Sequence, residues 1–193
     1  HGLLRRQRQM CIRDSNGIDG TDPESLTKGE IEGRKAALEA IAALKEYMPG
    51  CSAGKLRNFG MTIGIRDTYK IDSVYNLSDE DVKNECRFED SVGIYPEFID
   101  GFGVLVLPTT GRYMHIPYRS LLPKNIKGLL VVGRAIGGSN IAHAATRNMA
   151  CCTVTGQGAG VAAAETIKNK TSLNSVNISN VQKLLSNQNV RVF

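Results

Sequence analysis

The stretch LLVVGRAIGGSNIAHAATRNMACCTVTGQGAG, Leu129 to Gly160, limits the possible folds more than any other part of the chain. An apolar run leads through Gly133 and Arg134 into a loop with Gly137 and Gly138, and a long segment of small residues follows. That segment reads as a helix, yet it carries Gly156, Gly158 and Gly160. A helical glycine costs about 1 kcal/mol relative to alanine, so the three together cost roughly 3 kcal/mol. Close approach of a neighbour is the natural compensation. Cys152, Gly156, Gly160 and Ala164 recur every fourth residue and form one bare stripe. Three readings of the stripe are open: a helix pressed on a sheet with no ligand, a flat ligand lying along it, or a membrane small-xxx-small pair. Gln157, Glu165 and the shortness of the apolar run disfavour the membrane pair.

The unbroken apolar KGLLVVG predicts a strand buried on both faces, as in a parallel sheet. With the glycine loop and a helix beginning near Thr146 to Met149, it makes a strand–loop–helix unit. Free N–H groups and the positive dipole end at such a helix start favour an anion or an electron-rich carbonyl. Folds of the α/β class hold nucleotides and cofactors this way. The loop is not GxGxxG, and the chain contains no such motif.

Upstream, TKGE at Thr27 to Glu30 reads as a capping box. Ile31, Leu38, Ile41, Leu44 and Met48 then recur at helical spacing and predict a core-facing stripe, which Pro49 and Gly50 end. FGMTIGIRDTYKIDSVYNLS reads as extended chain. Ser78 caps a short helix, with Asp81 three residues on. GIYPEF marks a turn, GFGVLVLP a short buried strand, and RYMHIPYRSLLP an edge strand or extended connection cut by Pro117. Near the end, Ser179 reads as the cap of one short helix, with Gln182 three residues later.

The net charge of +5 raises the question of an anionic partner. Arg5, Arg6, Arg8 and Arg13 stand against Asp14 alone in the first fifteen residues; without them the remaining net charge is +2. A clustered basic face, which nucleic-acid binding requires, is not indicated. No run of about 20 apolar residues predicts a membrane span. Residues 1–15 read as a foreign or disordered leader, and RQMCIRDS resembles a translated sequencing adapter. Five cysteines at irregular spacing fit neither a zinc site nor a disulfide framework, which points to a cytoplasmic or other reducing compartment. No metal is expected.

The segment from Leu129 to Ala164 is similar to the C-terminal FAD-binding signature of FAD-dependent oxidoreductases in the glutathione-reductase-like flavoprotein superfamily. LTKGEIEGRKAA, IGIRDTYKI, GIYPEF and LPTTGRYMHIPYRSLLP occur in the order such proteins have them, so the likeness runs from about Thr27 to Lys170. It implies an α/β fold: the C-terminal part of an FAD-binding Rossmann-like domain plus part of a mixed α+β substrate domain. Residues 16–122 would mostly face substrate, 123–170 would be the strand–loop–helix of the cofactor domain, and 171–193 a terminal helix and tail. The resemblance implies FAD as cofactor, with Gly133 and Arg134 beside the ribityl and pyrophosphate region. Backbone N–H groups of Asn148, Met149 and Ala150 would face flavin N1 and O2. Because the family's N-terminal βαβ unit with GxGxxG is not in this sequence, the chain reads as the C-terminal portion of a longer protein. Its partner would be the N-terminal FAD-binding segment of that same protein.

His143, in the loop before the helix, is the candidate for moving a proton beside hydride transfer; alternatively it hydrogen-bonds the loop. Arg147 either binds a substrate carboxylate or the flavin, or is a plain helix-start arginine. Arg66 and Arg119 either face substrate or form internal salt bridges. Cys151 and Cys152 are adjacent and read as small core residues rather than a redox pair. Two functions remain open: part of a flavin oxidoreductase taking hydride from a small organic substrate, or a non-enzymatic α/β fragment or binding module.

Overall fold

A computed structural model describes residues 18–96, 98–101, 104–107 and 111–193; the leader at 1–15 lies outside them. The chain divides into two compact units, His1–Thr68 and Tyr69–Phe193.

The first unit is built on helix α1, Pro23–Tyr47. Its cap is Asp22, whose carboxylate accepts the N–H groups of Glu24 and Ser25, with Pro23 in the first turn. The TKGE box therefore does not start the helix: Thr27 lies inside it and donates its hydroxyl to Pro23 O. Asp22 followed by Pro23 is the stronger start signal, since proline lacks the N–H that the first turn leaves unpaired. The helix ends before Pro49, as expected. Its apolar stripe does not form a core: Ile31 and Leu38 are 52% and 55% exposed. Gly29 is the buried residue of this helix, because Ile63 and Ile18 lie where its Cβ would be. Glu30 accepts the Ile63 N–H, and Arg34 pairs with Glu30 and sits over Phe59.

In the second unit, α2 is Asp79–Lys83, with the predicted box between Ser78 and Asp81 fully formed. Strands β1, Ser91–Pro96, and β4, Tyr113–Pro117, pair antiparallel; β2, Ile99–Gly101, and β3, Val104–Val106, form a second antiparallel pair. GIYP is thus strand rather than turn, held by the burial of Val92 and Tyr95. Pro117 ends β4, where its missing N–H costs no ladder bond. Among the described residues FGMTIGIRDTYKIDSVYNLS forms no ladder; isolated bridges pair Ser73 with Pro123 and Leu77 with Gly138, both outside the sheets.

Three helices follow: α3, Asn140–Thr146; α4, Met149–Asn169; and α5, Ile178–Asn187. The cap of α5 is Asn177 rather than Ser179, accepting the Asn180 N–H. Val181 and Leu185 of α5 are wholly buried, and burying each contributes about 1.5–3 kcal/mol. Gln182 fixes α5 to β1 through Glu89 O and Ser91 O, at 2.7 and 3.0 Å. The buried Glu165 ties α4 to α5 through Asn180 at 3.2 Å.

The expected strand KGLLVVG is extended but joins no sheet among the described residues. Its backbone donates Val131 N–H to Leu121 O at 2.9 Å and Gly133 N–H to Thr155 Oγ1 at 3.0 Å, and Leu129 and Val132 are 42% and 39% exposed. The β-branched apolar run sets an extended backbone, but among the described residues no neighbouring strand lies beside it to complete a ladder. The fold is a mix of helices and small antiparallel sheets, compatible with the α/β class.

Candidate functional site

The Gly133–Ala135 turn, α3 and the start of α4 bring most of the candidate residues together. Gly133 has φ +71°, the left-handed region that glycine enters without strain. Its N–H is donated to Thr155 Oγ1 at 3.0 Å, and Thr155 in turn donates to Cys152 O. Thr155 is fully buried on the packed face of α4 and was not legible as a site residue. The Gly133 N–H is therefore spent on α4, while the Arg134 side chain next to it is exposed. Gly137 approaches the 73–77 loop so closely that a Cβ there would enter the Ser73 and Asn76 side chains. The glycines of this loop serve backbone contact within the unit.

Residues Ser139 to Arg147 form a helix, not the loop expected around His143. Ser139 caps α3 by accepting the Ala142 N–H and also bonds Asp79. His143 lies inside α3 and is 3% exposed. Arg147 is the half-buried residue that closes α3. Arg119 takes the internal role weighed for it: its Nε and N–H both reach Asp90 Oδ2, at 2.9 and 3.0 Å, and its guanidinium lies over Tyr75. Arg66 is half-buried in the first unit.

Helix α4 begins at Met149, as the sequence predicts, with Asn148 at the cap position in extended geometry. The Asn148 side chain makes no cap bond, and Met149 and Ala150 are exposed, Met149 to 87%. A 21-residue helix thus presents its first N–H groups at the surface with no side-chain acceptor. Such donors suit an anion or a carbonyl acceptor. The packed face behind them is Cys151, Thr155, Gly158, Ala159 and Ala162. The stripe of Cys152, Gly156, Gly160 and Ala164 is not the contact face: nothing lies within 4 Å of a Cβ at Gly156 or Gly160, whereas at Gly158 it would stand 2.7 Å from Val92 Cβ. The fourfold spacing was right for a helix face but selected the open one. Cys151 is buried, and burial raises its thiol above the ordinary range; burial likewise raises Cys152, which Arg134 opposes. Neither has the lowered pKa of a reactive thiol. Tyr95, pushed up to about 12 by burial, stands against Asn148 and both cysteines.

Over residues 3–185 the sequence matches the model of a family described as FAD dependent oxidoreductase. The chain belongs to that family. Its cofactor is FAD. No curated protein and no solved structure matches the chain.

Proposed function

We propose that this chain carries the flavin-facing, C-terminal portion of an FAD-dependent oxidoreductase of the glutathione-reductase-like kind, taking hydride from a small organic substrate. The observation that carries it is the start of α4: exposed N–H donors without a side-chain cap, in a member of an FAD family. FAD would supply the redox chemistry. Met149 and Ala150 N–H groups would hold its pyrimidine edge, and the fixed dipole of α4 would favour negative charge there. Arg134, exposed after Gly133, is the candidate for the ribityl–pyrophosphate side. Arg147 is the candidate for an anionic substrate group or the flavin, and His143 for proton movement. Arg66 stays a substrate-binding candidate; Arg119 serves the fold through Asp90.

The unpaired apolar segment Leu129–Val132 and the open Gly156–Gly160 face fit a Rossmann-like sheet completed by strands from the N-terminal FAD-binding segment. The pyrophosphate-binding fingerprint would come with those strands. Purified alone, the 193-residue chain is expected to leave a desalting column without flavin absorbance, and to retain flavin once that segment is supplied. A stoichiometric yellow protein from the chain alone would contradict this division of the site.

A further inference from the structure

Asparagine is among the best N-cap residues, because its side-chain oxygen accepts an N–H from the first turn. Asn177 does this for α5, and Asp22, Ser78 and Ser139 do it for α1, α2 and α3. Asn148 stands in the same position before α4 with the extended backbone that capping requires, φ −66° and ψ 146°, yet it does not cap. Its Nδ2 instead donates to Ala145 O at 2.8 Å and to Ala144 O at 3.4 Å. Both oxygens belong to the last turn of α3, where carbonyls lack intrahelical partners. Carbonyl oxygens only accept, so the NH2 end of the amide must face them. One side chain therefore satisfies the end of α3 and leaves the start of α4 open.

We propose that Asn148 is a positioning residue, which keeps the first N–H groups of α4 free for the flavin by holding its own amide on α3. This rests on the reading that α4 points at FAD. The residue has to be polar to satisfy α3, and any short polar side chain that pointed forward would compete with the flavin carbonyl for the same donors. Met149 and Ala150 are exposed, so the donors remain within reach of an external acceptor.

The test is a pair of variants in the FAD-loaded holoenzyme. Asn148→Ala and Asn148→Ser both lose the amide bonds to α3, but only serine can cap α4. The serine variant should melt at a higher temperature than the alanine variant. It should also bind FAD about fivefold more weakly, one net hydrogen bond's worth, and show the lower flavin reduction potential of the two. A merely structural Asn148 would give two variants with equal FAD affinity and equal potential, and that result overturns the proposal. If neither variant folds, Asn148→Gln keeps the donor without the capping power; it should hold FAD as tightly as the parent, and a fivefold loss there would overturn the proposal as well. Failure of the underlying reading has its own signature, an unchanged potential in Met149→Pro, whatever the serine and alanine variants do.

Discussion

Gly158→Leu should unfold the second unit or lower its melting temperature severely, while Gly160→Leu should leave it nearly unchanged. At Gly158 the first added carbon would stand 2.7 Å from Val92 Cβ and 2.9 Å from its Cγ2. Val92 is fully buried in β1, so it has nowhere to move. Overpacking of a closed core costs about 1–3 kcal/mol, and here the remaining leucine atoms extend further into the same strand. At Gly160 nothing lies within 4 Å, and the residue is exposed. Thermal melts of the two variants decide the matter, and equal losses would show that α4 packs through a different face.

Gly137→Ala is the second large effect. A methyl group there would meet Ser73 Cβ at 2.7 Å and overlap the Ser73 hydroxyl and the Asn76 side-chain oxygen. Ser73 is fully buried, and its hydroxyl is committed to Tyr75 O at 2.6 Å and Asn76 Oδ1 at 2.8 Å. The backbone on either side is fixed as well, by Leu77 N–H to Gly137 O and Gly137 N–H to Ser120 O. The methyl group must break one of these contacts, at about 1–3 kcal/mol. Gly111→Ala, whose Cβ would meet nothing but whose φ is +74°, is the control for backbone strain without overlap. A Gly137→Ala protein that melts with the parent would mean that the loop is free to move away from Ser73.

What was legible in the sequence depended on the range of the interaction. The box at Ser78 and Asp81, the end of α1 before Pro49 and the start of α4 near Met149 are set by residues within one turn, and all were read correctly. The start of α1 was misplaced because Thr27 and Glu30 match the box pattern inside a helix that Asp22 and Pro23 had already begun. The faces of α4 required tertiary information. Spacing identifies a stripe but not the element that lies against it, so the glycine that meets Val92 was passed over for two that meet nothing. KGLLVVG has the composition of a central strand, but strand pairing is a property of two segments, and among the described residues no second strand pairs with it. The extended segment, the Gly133 turn and the start of α4 were legible because local residues set each of them. The roles of Thr155 and of the Asn148 side chain were not, since each depends on which of several acceptors or donors the fold brings within 3 Å.

The central claim is that the start of α4 faces the flavin, and Met149→Pro tests it with little disturbance. Met149 is the first helical residue, its side chain is 87% exposed, and Asn148 before it has the extended ψ of 146° that a following proline demands. The substitution therefore removes one N–H and little else. In the FAD-loaded enzyme, with the melting temperature confirmed near that of the parent, the lost donor should destabilise reduced flavin by about 1 kcal/mol. That corresponds to a reduction potential about 20 mV lower for a two-electron couple. A folded, FAD-loaded Met149→Pro enzyme with the parent's potential would contradict the placement of α4 against the flavin.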